Sequence, residues 1–160
     1  MISIKIVEEE IALYSKILLA YDGSPSSKLA LDRACEIAKR FDAELLVVTV
    51  IEPIEVFYGE PIPPEVVTKQ REIAQKIIEK AKRYIDSLKL EKVRYILRTG
   101  LPANEIVKVA EEEGAELIVM GRKSKKGILE RVLVGSVSQT VLNLVHNRDV
   151  LITPYTEKED

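Results

Sequence analysis

The stretch Leu45-Leu46-Val47-Val48-Thr49-Val50-Ile51 is almost continuously apolar and rich in β-branched residues. Strict alternation of apolar and polar residues would mark a strand with one wet face. This run has none, so it reads as a strand covered on both faces, the condition of a parallel sheet. Outward from it toward the N-terminus, Lys16-Ile17-Leu18-Leu19-Ala20-Tyr21 is a second compact apolar run, halted by the turn chemistry of Asp22-Gly23-Ser24-Pro25. Between the two strands Pro25 is a favoured first helical residue, and Leu29, Ala30, Ala34, Ile37, Ala38 and Phe41 follow at helical spacing.

Toward the C-terminus, Pro64 to Leu88 carries Val66, Ile73, Ile77, Ala81 and Ile85 among Lys, Arg and Glu, which predicts a long amphipathic surface helix. Val93, Tyr95 and Leu97 alternate with Arg94, Ile96 and Arg98 before Thr99-Gly100, the pattern of a strand nearer a sheet edge. Pro102 opens a helix carrying Ile106, Val107, Val109 and Ala110, and Gly114 ends it before the apolar strand Ala115 to Met120, which Gly121 closes. A basic loop with Gly127 leads to a helix over Ser136 to Val145, then to Val150-Leu151-Ile152 before Pro154.

Five strands alternating with four helices predict an α/β doubly wound domain, a five-stranded parallel sheet with helices on both faces. Such sheets bind ligands beyond the carboxyl ends of their strands, so the turns after the first, second and fourth strands are the ones that matter. The domain is expected over residues 16–155. Residues 1–15 form an N-terminal extension in which Ile2, Ile4 and Ile6 alternate with polar residues, consistent with either an added edge strand or a tail, and 156–160 a frayed end. The Pro-rich connection 52–64, with Phe57 and Tyr58, is either a lid or partner surface at the ligand side or a plain connector.

Composition removes several classes of function. The chain has 24 basic and 26 acidic residues, a net charge of −2, which argues against bulk electrostatic binding to nucleic acid or anionic lipid. One cysteine and one histidine cannot make a disulfide or most of a structural zinc site. No apolar run reaches the roughly 18 residues of a membrane span, and Met1 to Glu10 lacks the basic and apolar regions of a signal peptide. A cytoplasmic protein with neither membrane nor nucleic-acid partner is expected. Cys35, between Ala34 and Ile37, reads as a small buried hydrophobe, and His146, near a helix end without a nucleophile elbow, as a capping or surface residue.

A Walker loop and a G-x-G-x-x-G turn are both missing. What remains is Val119-Met120-Gly121-Arg122-Lys123-Ser124-Lys125-Lys126-Gly127, continuing to Val134-Gly135-Ser136-Val137-Ser138. A strand ends in glycine, basic residues crowd a short loop, and Gly135-Ser136 opens a helix whose free amides suit an anion such as phosphate. A solvated basic loop with a routine helix cap is the other reading of the same residues.

These segments together resemble the universal stress protein family: the first strand with Asp22, the strand ending Val50-Ile51, the Met120-Gly121 ending and the Gly135-Ser136-Val137 helix start. The resemblance covers Lys16 to about Thr153 and implies the adenine nucleotide alpha hydrolase-like fold, with many members dimeric through the last strand, here Val150, Leu151 and Ile152. ATP-binding members carry Gly, two residues, Gly, nine residues, then Gly with Ser or Thr. This chain places Ser124 at the second glycine and ten residues between Ser124 and Gly135. Asp149 stands where proline is common in the family.

By that resemblance Asp22 lies near ribose and adenine, Val50 offers backbone groups to the adenine edge, and Met120 forms an apolar wall. Gly121, Gly135, Ser136 and Val137 hold phosphates through their amides, with Ser124 in the loop and Arg122 screening charge. The implied cofactor is ATP or AMP, with Mg2+ accompanying the nucleotide, and the implied function a ligand-dependent stress-response or regulatory module with a further protein partner. The alternative is a dimeric interaction module that binds no nucleotide. No general base or metal cluster accompanies the phosphate loop, so catalysis is expected to be absent or limited to slow ATP hydrolysis.

Overall fold

The computed structural model describes residues 13–54, 60–122 and 136–154. Among these residues five strands alternate with four helices: β1 (Lys16–Ala20), α1 (Pro25–Phe41), β2 (Glu44–Ile51), α2 (Pro64–Ser87), β3 (Val93–Thr99), α3 (Pro102–Glu113), β4 (Leu117–Gly121), α4 (Ser136–Leu144) and β5 (Asp149–Thr153). All pairings are parallel and the strand order is β3-β2-β1-β4-β5. The chain steps outward from β1 to β3, crosses back, and steps outward again on the other side. The doubly wound fold is the one the apolar runs predict.

The pleat sends alternate side chains to opposite faces, and two cores result. Ile17, Leu19, Leu45, Val47 and Val119 pack on the face covered by Ala30, Ala34 and Ala38 of α1 and Ala81 and Ile85 of α2. Leu18, Val48, Ile118 and Met120 pack on the opposite face against Ile106, Val109 and Ala110 of α3 and Val141 of α4. Ile17, Leu18 and Leu19 are fully buried, and each such side chain contributes about 1.5–3 kcal/mol of transfer free energy. Small alanines on α1 let its axis lie close to the sheet. Cys35 shares that core, and burial pushes its thiol up to about 12.

Local signals act where they stand. Gly114 takes φ +69° at the end of α3, the left-handed cap that its missing Cβ permits. β3 lies at a sheet edge and is only partly buried. One helical pattern differs from the expectation: on α2, Ala74 is buried while Ile73 is half exposed. The 3.6-residue period leaves two adjacent apolar residues competing for one stripe, and the smaller one faces inward.

Candidate functional site

In a doubly wound sheet a crevice opens at the carboxyl ends of the two strands where the strand order reverses. Here those strands are β1 and β4, and a cleft of about 270 Å3 lies at their ends. Ala20, Tyr21, Asp22 and Ser24 come from β1 and the turn after it. Ser26 and Ser27 open α1, and Val48, Val50 and Glu52 come from β2 and its exit. Met120 and Gly121 end β4, with Pro102 and Ile106 of α3 and Val137 and Ser138 of α4 completing the lining.

Val50 owes its place to ladder parity. The Glu44 amide donates to the Ser15 carbonyl at 2.9 Å, and the Val48 carbonyl accepts from the Tyr21 amide at 2.9 Å. Even-numbered residues of β2 therefore turn their peptide groups toward β1, while the odd-numbered Leu45 and Ile51 bond the β3 side through Lys92 and Gly100. Val50 is the next even residue, and β1 has ended at Ala20. The Tyr21 carbonyl is taken instead by the buried Thr49 hydroxyl at 2.8 Å. Among the described residues the Val50 amide and carbonyl thus form a short unpaired sheet edge along the cleft, bounded by apolar Val48, Ile106, Met120 and Val137. A donor and acceptor beside a flat apolar slot suit a heteroaromatic ring with its own edge donors and acceptors.

Asp22 accepts the Ser24 amide through Oδ1 at 2.9 Å, an Asx turn. A carboxylate has about four lone-pair sites, so acceptor capacity for sugar hydroxyls remains. Ser24 is the N-cap of α1: its Oγ accepts the Ser27 amide at 3.2 Å and its carbonyl the Lys28 amide at 3.0 Å. Pro25 has no N–H. The start of α1 is thereby largely satisfied from within and offers little to an anion.

The opposite wall differs. α4 is described from Ser136 onward, and the Ser138 hydroxyl donates to the Gly121 carbonyl at 3.2 Å. The Ser26 hydroxyl donates to the Arg122 carbonyl at 2.5 Å. Two serines from two helices therefore hold the end of β4. Sequence reasoning missed both, along with Glu52, Pro102 and Ile106; the available signal was a serine at an inward-facing helical position, and Ser26 and Ser138 are 2% and 0% exposed.

Gly121 has a local steric cause. A Cβ there would sit 2.5 Å from the Ser26 carbonyl oxygen and 2.6 Å from its carbonyl carbon, backbone that cannot yield. Of the sequence-predicted residues, Asp22, Val50, Met120, Gly121 and Val137 line one cleft. Arg122 follows Gly121 without lining it, and Ser136 stands exposed at the start of α4. Ser124 and Gly135 lie outside the described residues, as do Lys123, Gly127 and the 55–59 part of the Pro-rich connection. Among the described residues the charged members of the lining are Asp22 and Glu52. Burial, reinforced by Asp22 and Asp32, raises the Tyr21 phenol above its ordinary range. Among the described residues no three His, Cys, Asp or Glu side chains converge to hold a metal, and no helix is long and apolar enough to cross a membrane.

Known proteins are similar to this chain in sequence and fold. The chain is 38% identical over 150 residues to universal stress protein MJ0531 of Methanocaldococcus jannaschii, covering 92% of this chain and 86% of that one. It is 30% identical to MJ0577 of the same organism, whose structure superposes with a TM-score of 0.66 over 91% of this chain and 99% of that chain. A universal stress protein crystallised in complex with cAMP matches with a TM-score of 0.65 at 26% identity, over 88% and 97% of the two chains. The sequence profile of the universal stress protein family matches residues 13–154, and with the β1/β4 cleft in place the chain belongs to that family.

Proposed function

We propose that the cleft binds an adenine nucleotide, ATP or AMP, and that the protein acts as a ligand-dependent stress-response or regulatory module. The observation that carries this reading is the unpaired Val50 amide and carbonyl beside the apolar slot of Val48, Ile106, Met120 and Val137. The adenine edge bonds Val50, the ring lies against Met120, and ribose hydroxyls donate to Asp22. Phosphates lie toward Gly121 and the α4 start, where Gly135, Ser136 and Val137 contribute amides, Ser124 a hydroxyl and Arg122 positive charge. Mg2+, where it accompanies the nucleotide, would be held by phosphate oxygens and would offset their charge. The cAMP complex of a family member with 26% identity supports an adenine-ring ligand. On this reading any turnover is at most slow ATP hydrolysis.

The protein is proposed to pair through β5, an edge strand in which Leu151 is 37% exposed, giving a two-fold contact. Its protein partner then reads the nucleotide-bound surface. A specific feature favours a second reading, an interaction module without nucleotide: Ser124 replaces a loop glycine, and the close approach of Ser26 alone already requires Gly121.

One experiment separates the two. Mass spectrometry of the supernatant after heat or acid denaturation, followed by calorimetric titration of ATP and AMP into stripped protein, gives stoichiometric adenine nucleotide under the first reading. No released nucleotide, and no heat at millimolar ligand, would establish the second.

A further inference from the structure

A second cavity, of about 220 Å3, lies between α1 and α2, behind the β1 turn. Leu31 and Ala81 make its apolar floor. Its polar members are arranged by helical spacing. Lys28 and Asp32 stand four apart on α1, and Lys80 and Tyr84 four apart on α2, so each helix presents its pair on one face. The Tyr84 hydroxyl donates to Asp32 Oδ1 at 2.5 Å across the gap, and the phenol is pushed up to about 12, chiefly by this hydrogen bond. The Asp32 carboxylate is thus already engaged by Tyr84, while two lysines, Lys28 and Lys80, line the same small space.

Tyr21 joins the two cavities, since it lines both this one and the β1/β4 cleft. Its main chain is fixed on the β2 side, the amide to Val48 and the carbonyl to Thr49. Its side chain is 5% exposed and belongs to the core shared with Leu31 and Ala81. A ligand that shifted the phenol would act on a residue that borders both cavities and immediately precedes Asp22.

We propose that this cavity is a second binding site, for a small organic anion with an apolar body, and that its occupancy is coupled to the β1/β4 cleft through Tyr21. A cavity of about 220 Å3 accommodates a single ring or short aliphatic body. The anionic group is recognised by Lys28 and Lys80 at the rim, and the apolar body covers Leu31 and Ala81. The anion site is argued from its own lining, whatever the cleft binds; the coupling, which is reciprocal, rests on the nucleotide reading of the cleft.

The test uses the whole protein and three probes of matched shape, benzoate, benzyl alcohol and benzylammonium, titrated while amide chemical shifts are followed. Benzoate is expected to saturate and to move Lys28, Leu31 and Ala81, with benzyl alcohol weaker and benzylammonium without saturable effect. Exposed charges at such a rim contribute modestly, so Lys28→Gln and Lys80→Gln each weaken benzoate by up to about fivefold. Tyr84→Phe, which frees the Asp32 charge without altering the shape, also weakens it. Equal response to all three probes, or none in folded protein up to tens of millimolar, would overturn the site. The coupling is read separately, as a change in AMP affinity at saturating benzoate. An unchanged AMP affinity removes the coupling alone, and an absence of AMP binding condemns the nucleotide reading while leaving the anion site standing.

Discussion

At the scale of single residues, Asp22 and Gly121 each have two duties that substitutions can separate. Asp22 closes an Asx turn through one oxygen, a role asparagine shares because its side-chain carbonyl accepts the same amide. Asp22→Asn is therefore expected to keep the wild-type urea midpoint and to weaken AMP in calorimetry, while Asp22→Ala lowers both. If Asp22→Asn binds AMP as wild type does, the carboxylate has only its turn role. Gly121 is pinned by the Ser26 backbone. Gly121→Ala should cost about 1–3 kcal/mol of stability by overpacking, seen as a lower urea midpoint with or without nucleotide. A stability loss confined to the nucleotide-bound protein would show that phosphate, not Ser26, demands the glycine.

At the scale of elements, the helix and strand ends decide what the cleft can offer. The α1 cap rests on Ser24 Oγ accepting the Ser27 amide, and Ser24→Ala is expected to cost about 1 kcal/mol in chemical denaturation. The entry to β5 shows how a departure from a family pattern acquires a structural use. Asp149 donates its amide to the Glu116 carbonyl at 3.0 Å and accepts the Tyr14 hydroxyl at 2.6 Å. Proline there would lose the first bond for want of an N–H and the second for want of a carboxylate. Asp149→Pro should destabilise by about 1–3 kcal/mol, measured by thermal or urea unfolding. A neutral outcome would mean that neither bond contributes net stability.

For the whole molecule, the amino ends of the strands carry an acid-sensitive latch far from the cleft. Burial works to raise the Glu116 carboxyl, but hydrogen bonds from the Ser15 hydroxyl and amide and the Lys16 amide outweigh it, and the net displacement is downward. Glu113 is likewise held low, chiefly by its hydrogen bond from Arg94. A carboxyl whose folded-state pKa lies below its unfolded value adds stability above the unfolded value, near 4.3, and loses it as pH falls through the folded one. Urea midpoints are expected to drop on acidification below about pH 4.5. Glu116→Gln should be less stable at pH 7 and show a shallower acid slope. Identical slopes in the two proteins would place the acid sensitivity elsewhere.

The sequence alone determined the order and type of every described element, because continuous apolar runs, Pro at helix starts and Gly114 at a helix end are chemical signals confined to a few neighbouring residues. It also picked out Asp22, Val50, Met120, Gly121 and Val137, but by family pattern, without a cause for each. Tertiary structure supplied the causes. Only strand order makes Val50 the even-numbered residue left without a partner past the end of β1. Only the approach of α1 to β4 explains Gly121 and brings Ser26 into the site, since the two lie 95 positions apart in the chain. Periodicity records which face of an element is buried; it carries no record of which distant backbone will press against that face.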